Sequence, residues 1–390
     1  LSPTTPLSTV MNQRLLPLVV LLLTALLASA CVEPEASSDD VPALKDVFAD
    51  AFLVGAALNP GQFTEEDARG AALVKKHFNT ITPENVMKWE LIHPEPDTYD
   101  FEAADRFVEF GEANDAFIVG HTLVWHSQTP DWVFEDEEGN PLDREALLER
   151  MRDHIHTVVG RYKGRVHGWD VVNEALNEDG TLRETPWLKI IGEDYIAKAF
   201  QFAHEADPDA ELYYNDYTLE HPPKRDGAVR LVRSLLDRGI PVTGIGTQAH
   251  HRLDPDSPSV EAQAAAIEAF AELGVDVMIT ELDIAVLPRP QEHWGADISQ
   301  SAELQAELNP YPEAFPDSMQ QALARRYADL FEVFLEHRDA ITRVTFWGVT
   351  DGDSWLNYWP IDGRTTYPLL FDREYRPKPA FHAVVEVAQR

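Results

Sequence analysis

The sequence predicts an α/β fold, a (β/α)8 TIM barrel forming one catalytic domain over residues 44–390, on three observations. Eight short runs rich in β-branched and aromatic residues alternate with longer helical patterns from about residue 44 onward. No linker-like stretch interrupts 44–390. The first run leads into "GAALNPGQF", which lacks the G-x-G-x-x-G turn expected of the runner-up, a doubly wound sheet.

The predicted strands are, in order, 51–58, 79–85, 117–125, 166–174, 211–217, 242–250, 276–284 and 342–350. Thr64-Glu-Glu-Asp67 reads as a capping-box start with an acidic first turn. Leu147, Met151, His154, Ile155 and Val158 recur at helical spacing. The stretches 229–239 and 259–274 read as helices closed by glycine. A Pro-rich polar stretch, 287–317, is too long for a plain connector and is expected to fold over the barrel mouth.

The N-terminal region reads differently. Residues 1–10 precede the expected start at Met11. Residues 11–30 carry a weakly positive start and an apolar run shorter than the ~20 residues of a membrane span, as in a signal peptide. An uncleaved anchor is the alternative. "ASAC" before Cys31 resembles a bacterial lipobox, which would make Cys31 a lipidated first residue, although Ala28 stands where Leu is usual. Residues 31–43 read as a polar tether.

With 67 acidic against 32 basic residues, the net charge of −35 repels nucleic acid and anionic lipid. No nucleic-acid partner is expected, and membrane association only through the lipid anchor. The acidity reads as a solvation device for saline surroundings. Unchanged activity and stability between dilute buffer and molar salt would contradict that reading. A single cysteine rules out an internal disulfide or a Cys-based metal site.

In such a barrel the chemistry sits where the strands end at their carboxyl side. Seven predicted strands end in polar or aromatic groups there: Glu84 and Asn85 with Lys88; His121 and Trp125; Asn173 and Glu174; Asn215, Asp216 and Tyr217; Gln248 and His250; Glu281 and Asp283; Trp347, Asp351 and Trp355. A lone carboxylate at a strand end is usually a cap or a surface charge. A whole mouth of acids, amides and tryptophans suits glycoside hydrolysis, with two carboxylates about the bond and flat rings against the sugars. HExxH and G-x-S-x-G are absent. His121 and His126 fall on opposite sides of a straight strand, and His250 and His251 are adjacent, so zinc ligation is not expected. No metal or cofactor is predicted. Asn173 and Glu174 raise a local problem, because neighbours on a regular strand face opposite ways. For both to reach one sugar, the strand must bend, bulge or end there.

Seven blocks, "ENVMKWE" (84–90), "GHTLVWHSQTPDW" (120–132), "WDVVNEA" (169–175), "NDY" (215–217), "GIGTQAH" (244–250), "ITELD" (279–283) and "FWGVTDGDSW" (346–355), occur in this order. With the closing "LLFDREYRPKPAF" (369–381), the set resembles the family 10 glycoside hydrolases, the endo-β-1,4-xylanases. The resemblance implies a (β/α)8 barrel and double displacement with retention, acting on xylan and xylo-oligosaccharides. By it, Glu174 matches the acid/base, Glu281 the nucleophile and Asn173 a partner of the sugar 2-hydroxyl. Glu84, Asn85, Lys88, His121, Trp125, Gln248, His250, Trp347 and Trp355 match sugar-binding positions, and Tyr217 joins them as a candidate. His250 is expected to position Glu281, and Gln248 to contact Glu174. Thr218 and Ala249 depart from the family pattern, where Asn and Gly are common. The competing readings are a related retaining glycanase acting on cellulose or aryl β-xylosides, and a non-catalytic glycan-binding lipoprotein. The expected protein is a monomer, exported to the cell envelope or secreted.

Overall fold

The computed structural model describes residues 41–254, 257–288 and 307–390. Cys31, the leader and most of the tether lie outside the described residues, as does the middle of the predicted mouth loop. Eight parallel strands close into a barrel: β1 (Leu53–Leu58), β2 (Thr80–Pro83), β3 (Phe117–Val124), β4 (Gly168–Asn173), β5 (Glu211–Asp216), β6 (Gly244–Thr247), β7 (Asp276–Ala285) and β8 (Ile341–Phe346). The ring closes because β6 pairs with β7, β7 with β8, and β8 with β1.

Each strand is followed by its main helix: α1 (Ala68–His77), α2 (Glu102–Ala113), α3 (Arg144–Arg161), α4 (Tyr195–Ala206), α5 (Pro222–Asp237), α6 (Val260–Ala271), α7 (Asp317–Glu336) and α8 (Pro379–Ala388). Their apolar faces and the outer faces of the strands form one large core. The helical spacing in α3 is explained by it: Leu147, Met151, His154, Ile155 and Val158 are all buried. Ser259 caps α6, accepting from the Ala262 N–H at 3.2 Å. A second apolar cluster, Val119, Tyr213 and Met278, comes from the alternate strands β3, β5 and β7, as a barrel interior requires. The Arg343 guanidinium lies 4.4 Å from the Tyr213 ring centroid and completes this plug.

Two local expectations need correction. The capping box is at Asn59 and Gln62, not at Thr64. Thr64 instead donates its hydroxyl to the Pro60 carbonyl, and α1 starts later, with Asp67 accepting from the Gly70 N–H at 3.0 Å. The box needs a residue with extended backbone before the turn, which Asn59 supplies at φ −95° and ψ 169°. The predicted sixth strand is also broken. β6 stops at Thr247, Ala249 takes φ 59°, and a three-residue strand, His250–Arg252, then pairs with the far end of β7. The left-handed residue redirects the chain and carries His250 opposite Asp283.

Asp351, grouped with the mouth residues from its place near the end of the eighth predicted strand, is fully buried and belongs to the scaffold. Lys378 Nζ lies 2.9 Å from its Oδ2 and also donates to the carbonyls of Tyr367 (2.9 Å) and Leu369 (2.7 Å). Burial raises the Asp351 pKa and lowers that of Lys378, while each charge supports the other. Asp351→Ala leaves the ammonium buried without its partner and is expected to cost about 3–5 kcal/mol in chemical denaturation. A cost below about 1 kcal/mol, as for an exposed pair, would contradict this account. Nearby, Arg364 donates to the carbonyls of Pro288 and Leu308, 2.9 Å each, and so ties together two described parts of the 287–317 stretch.

Candidate active site

The two glutamates reach the mouth by the same backbone device. β4 and β5 run in register from Gly168↔Glu211 to Asp170↔Tyr213, then slip by one residue before Val172↔Tyr214 and Asn173↔Asn215. Asp170 faces inward, with its Oδ2 2.8 Å from His121 Nδ1. Regular alternation would turn Asn173 outward. The extra residue reverses the parity, so Val171 and Val172 both join the outer apolar core and Asn173 turns inward. The strand then ends, and Glu174 takes φ 56° with its N–H donating to the Asn215 carbonyl at 2.9 Å. The bulge and the strand end expected at "WDVVNEA" are both present.

β7 repeats the device. Ile279 pairs with Val344 but Leu282 with Phe346, so three steps on β7 match two on β8. The neighbours Thr280 and Glu281 therefore both reach Asn215. Thr280 donates to Asn215 Oδ1 at 2.7 Å, and Asn215 Nδ2 donates to Glu281 Oε1 at 2.8 Å.

Glu174 takes its hydrogen bonds from uncharged side chains, with His126 Nε2 4.0 Å from its Oε2. Trp125 Nε1 donates to Oε2 at 2.9 Å. Gln248 Nε2 donates to Oε1 at 3.0 Å, and Asn173 Nδ2 to the same oxygen at 3.3 Å. Asn173 is in turn held by Asn215, whose Nδ2 donates to its Oδ1 at 3.0 Å. One amide pair thus links the two carboxylates.

Glu281 has a different neighbourhood. His250 Nε2 lies 3.1 Å from its Oε2, and the other ring nitrogen, Nδ1, is 3.0 Å from Asp283 Oδ1. Trp355 Nε1 donates to Asp283 Oδ2 at 2.8 Å, which fixes that carboxylate. Burial opposes a charge on His250, but Asp283 and Glu281 outweigh it and raise the imidazole pKa to about 10. His250 is therefore a cation at neutral pH. A raised folded-state pKa contributes stability fully below the ordinary value near 6.5, and that stability fades as pH climbs through about 10. The gap in thermal midpoint between the native chain and His250→Gln is thus expected to narrow from pH 6 to pH 10. A gap that widens over this range would contradict the pairing.

Lys88 is buried beside these acids. Its Nζ donates to Asn85 Oδ1 at 2.9 Å and Gln128 Oε1 at 2.8 Å, and lies 5.0 Å from the Trp125 ring centroid. Burial lowers its pKa, opposed by Glu281, then Glu84, then Glu174. Burial likewise raises the pKa of Glu84, against the pull of Lys88. Trp347 stands edge-on to His121 and His250, with centroids 5.4 and 6.4 Å away. Trp355 lies 5.3 Å from His250.

Glu84, Asn85, Lys88, His121, Trp125, Asn173, Gln248, His250, Trp347 and Trp355 thus gather around the two carboxylates. Tyr217 is more committed to the protein. Its hydroxyl accepts from Arg183 Nη2 at 2.7 Å, and Lys224 Nζ sits 3.3 Å from its ring centroid. Asn215 and Asp283 were placed at strand ends by the sequence but given no role, and Gln128 was not singled out. The structure makes all three positioning groups: Asn215 for Asn173 and Glu281, Asp283 for His250, and Gln128 for Lys88. Among the described residues, no group of three or more His, Cys, Asp or Glu side chains is arranged to hold a metal ion.

Residues 43–387 match the sequence model of glycosyl hydrolase family 10. An endo-1,4-beta-xylanase A of Xylanibacter ruminicola is 46% identical over 352 residues, covering 90% of this chain and 95% of that protein. The structure of a GH10 endoxylanase retrieved from a sugarcane soil metagenome superposes with a TM-score of 0.84 at 47% identity, over 89% of this chain and 100% of that one. A mutant structure in complex with xylotriose matches with a TM-score of 0.79 at 38% identity, over 89% and 100% of the two chains.

Proposed function

The chain belongs to glycosyl hydrolase family 10, and from that premise we propose that it is an endo-1,4-β-xylanase that cleaves xylan by double displacement with retention. The observation that carries the reading is the unequal setting of two carboxylates in one mouth. Glu281 faces the His250 cation and is the acid that Lys88 interacts with most strongly. Glu174 takes its hydrogen bonds from an indole and two amides. A nucleophile must be ionised, and a general acid must carry a proton. The His250 cation beside Glu281 suits it to attack the anomeric carbon, and Glu174, which has no such cation in hydrogen-bond contact, is left to exchange the proton.

In the first step Glu281 attacks the anomeric carbon while Glu174 passes its proton to the departing sugar oxygen. In the second, Glu174 takes a proton from water, which displaces Glu281 from the covalent glycosyl-enzyme. Asn173, which also donates to Glu174, is the proposed partner of the hydroxyl next to the reacting carbon. Trp125, Trp347 and Trp355 supply apolar faces for sugar rings, and Glu84, Asn85, Lys88, His121, Gln248 and His250 supply polar contacts.

Two assays test the reading. Reducing ends are expected from xylan and far fewer from carboxymethylcellulose; the reverse preference would move the enzyme to another β-glycan. Proton NMR of the first turnovers should show the β-anomer before mutarotation, whereas an initial α-anomer would mean inversion. The N-terminal sequence supports export, with Cys31 lipidated or the chain secreted. Mass spectrometry of the mature N-terminus distinguishes the two.

A further inference from the structure

The chain after β4 makes a narrow excursion and returns. Leu176 and Leu182 pair as an antiparallel bridge, and the Arg183 N–H donates to the Ala175 carbonyl at 2.8 Å. From the returning arm Arg183 reaches back across the turn. Its Nε donates to the Glu174 carbonyl at 3.1 Å, and its Nη2 to the Leu176 carbonyl at 3.1 Å and to the Tyr217 hydroxyl. The N–H side of the same turn is held from β5. Glu174 N–H donates to the Asn215 carbonyl, and Leu176 N–H donates to Asp216 Oδ2 at 3.3 Å. Asp216 is fully buried and paired with Lys224 at 3.0 Å, so this anchor is itself fixed.

Glu174 needs such restraint. Its φ of 56° lies in the left-handed region, which a residue with a side chain adopts only when its surroundings over-determine it. Glu281 stands at the slip between β7 and β8, and its carboxylate is held by Asn215 and His250 rather than by Arg183, Tyr217 or Asp216.

We propose that Arg183 is a positioning residue for the acid/base step: by binding the carbonyls of Glu174 and Leu176 it fixes the backbone turn that aims the Glu174 carboxyl at the leaving oxygen. The proposal rests on the acid/base role given to Glu174 above. Arg183 touches no reacting atom, and its effect passes through Glu174 alone. Loss of aim then slows proton delivery. A poor leaving group depends on that proton, and a dinitrophenolate does not.

The test compares kcat/KM, which reports the first displacement, for phenyl and dinitrophenyl β-xylobiosides. Arg183→Gln is expected to lower the phenyl value about 100-fold, at the lower end of what general-acid catalysis contributes, and the dinitrophenyl value by under about 5-fold. Arg183→Lys keeps the charge but not the fork, and should fall between the native chain and Arg183→Gln. Tyr217→Phe removes only the hydroxyl that orients Nη2, so it gives the same discrimination at smaller size and guards against a folding defect in the arginine variants. Equal losses on both substrates, or no loss on either, would overturn the proposal. Glu174→Ala run alongside separates the two layers. If it too fails to discriminate between the leaving groups, the acid/base assignment itself falls.

Discussion

Glu281→Ala loses turnover on xylan and on aryl β-xylobiosides by roughly four to six orders of magnitude, the scale on which removing a catalytic nucleophile acts. Two features of the site make the loss specific. The alanine leaves a space beside the anomeric carbon, lined by Asn215 Nδ2 and His250 Nε2, which both point at Glu281 in the native chain. Both can donate to a small anion there, and His250 carries a positive charge. Azide is therefore expected to restore turnover, attacking from the face Glu281 used while Glu174 still protonates the leaving sugar. With one displacement instead of two, the glycosyl azide has inverted configuration. Full activity without azide would end the nucleophile assignment. A rescued product of retained configuration would place the attacking group on the wrong face.

Glu174→Ala gives the complementary result. Loss of the proton donor costs about 10²- to 10⁴-fold in kcat/KM on xylan and phenyl xylobioside, and far less on dinitrophenyl xylobioside. With that activated substrate the first displacement proceeds, but no base remains to activate water, so the covalent intermediate accumulates and KM falls with kcat. Azide needs no base and should speed this second step. Two displacements have then occurred, so the azide product retains configuration. The two variants thus give azides of opposite anomeric form from one substrate. The same form from both would contradict the division of roles.

Much of this was legible in the sequence, for physical reasons. The alternation of strand-like and helical runs identified all eight barrel strands to within a few residues, because strands buried in a closed barrel must read as apolar runs. The mouth was legible because polar residues at seven strand ends have no place in the packed interior. The side-chain directions were harder. "WDVVNEA" announced its own irregularity, since two adjacent polar residues had to share one face. "ITELD" did not, because Thr280 alone gave no reason to expect the slip between β7 and β8. A bulge is set by register with the neighbouring strand, which local pattern does not contain.

The break after β6 was hidden for a similar reason. Ala249 has no local preference for φ 59° and adopts it to bring His250 to Asp283. Arg183 had no signal of its own. It stands nine residues from Glu174 in a polar loop, and only the folded excursion brings its guanidinium to the carbonyls it binds.

The central claim is that Glu281 attacks the sugar and Glu174 supplies the proton. A dinitrophenyl xylobioside carrying fluorine in place of the hydroxyl beside the anomeric carbon tests it most directly, because it slows both displacements while the good leaving group keeps the first one fast. The enzyme should be inactivated as one dinitrophenolate is released per chain. Its mass should rise by one fluoroxylobiosyl group, and peptide mass spectrometry should place that group on Glu281. An adduct on any other residue, or inactivation without an adduct, would contradict the account.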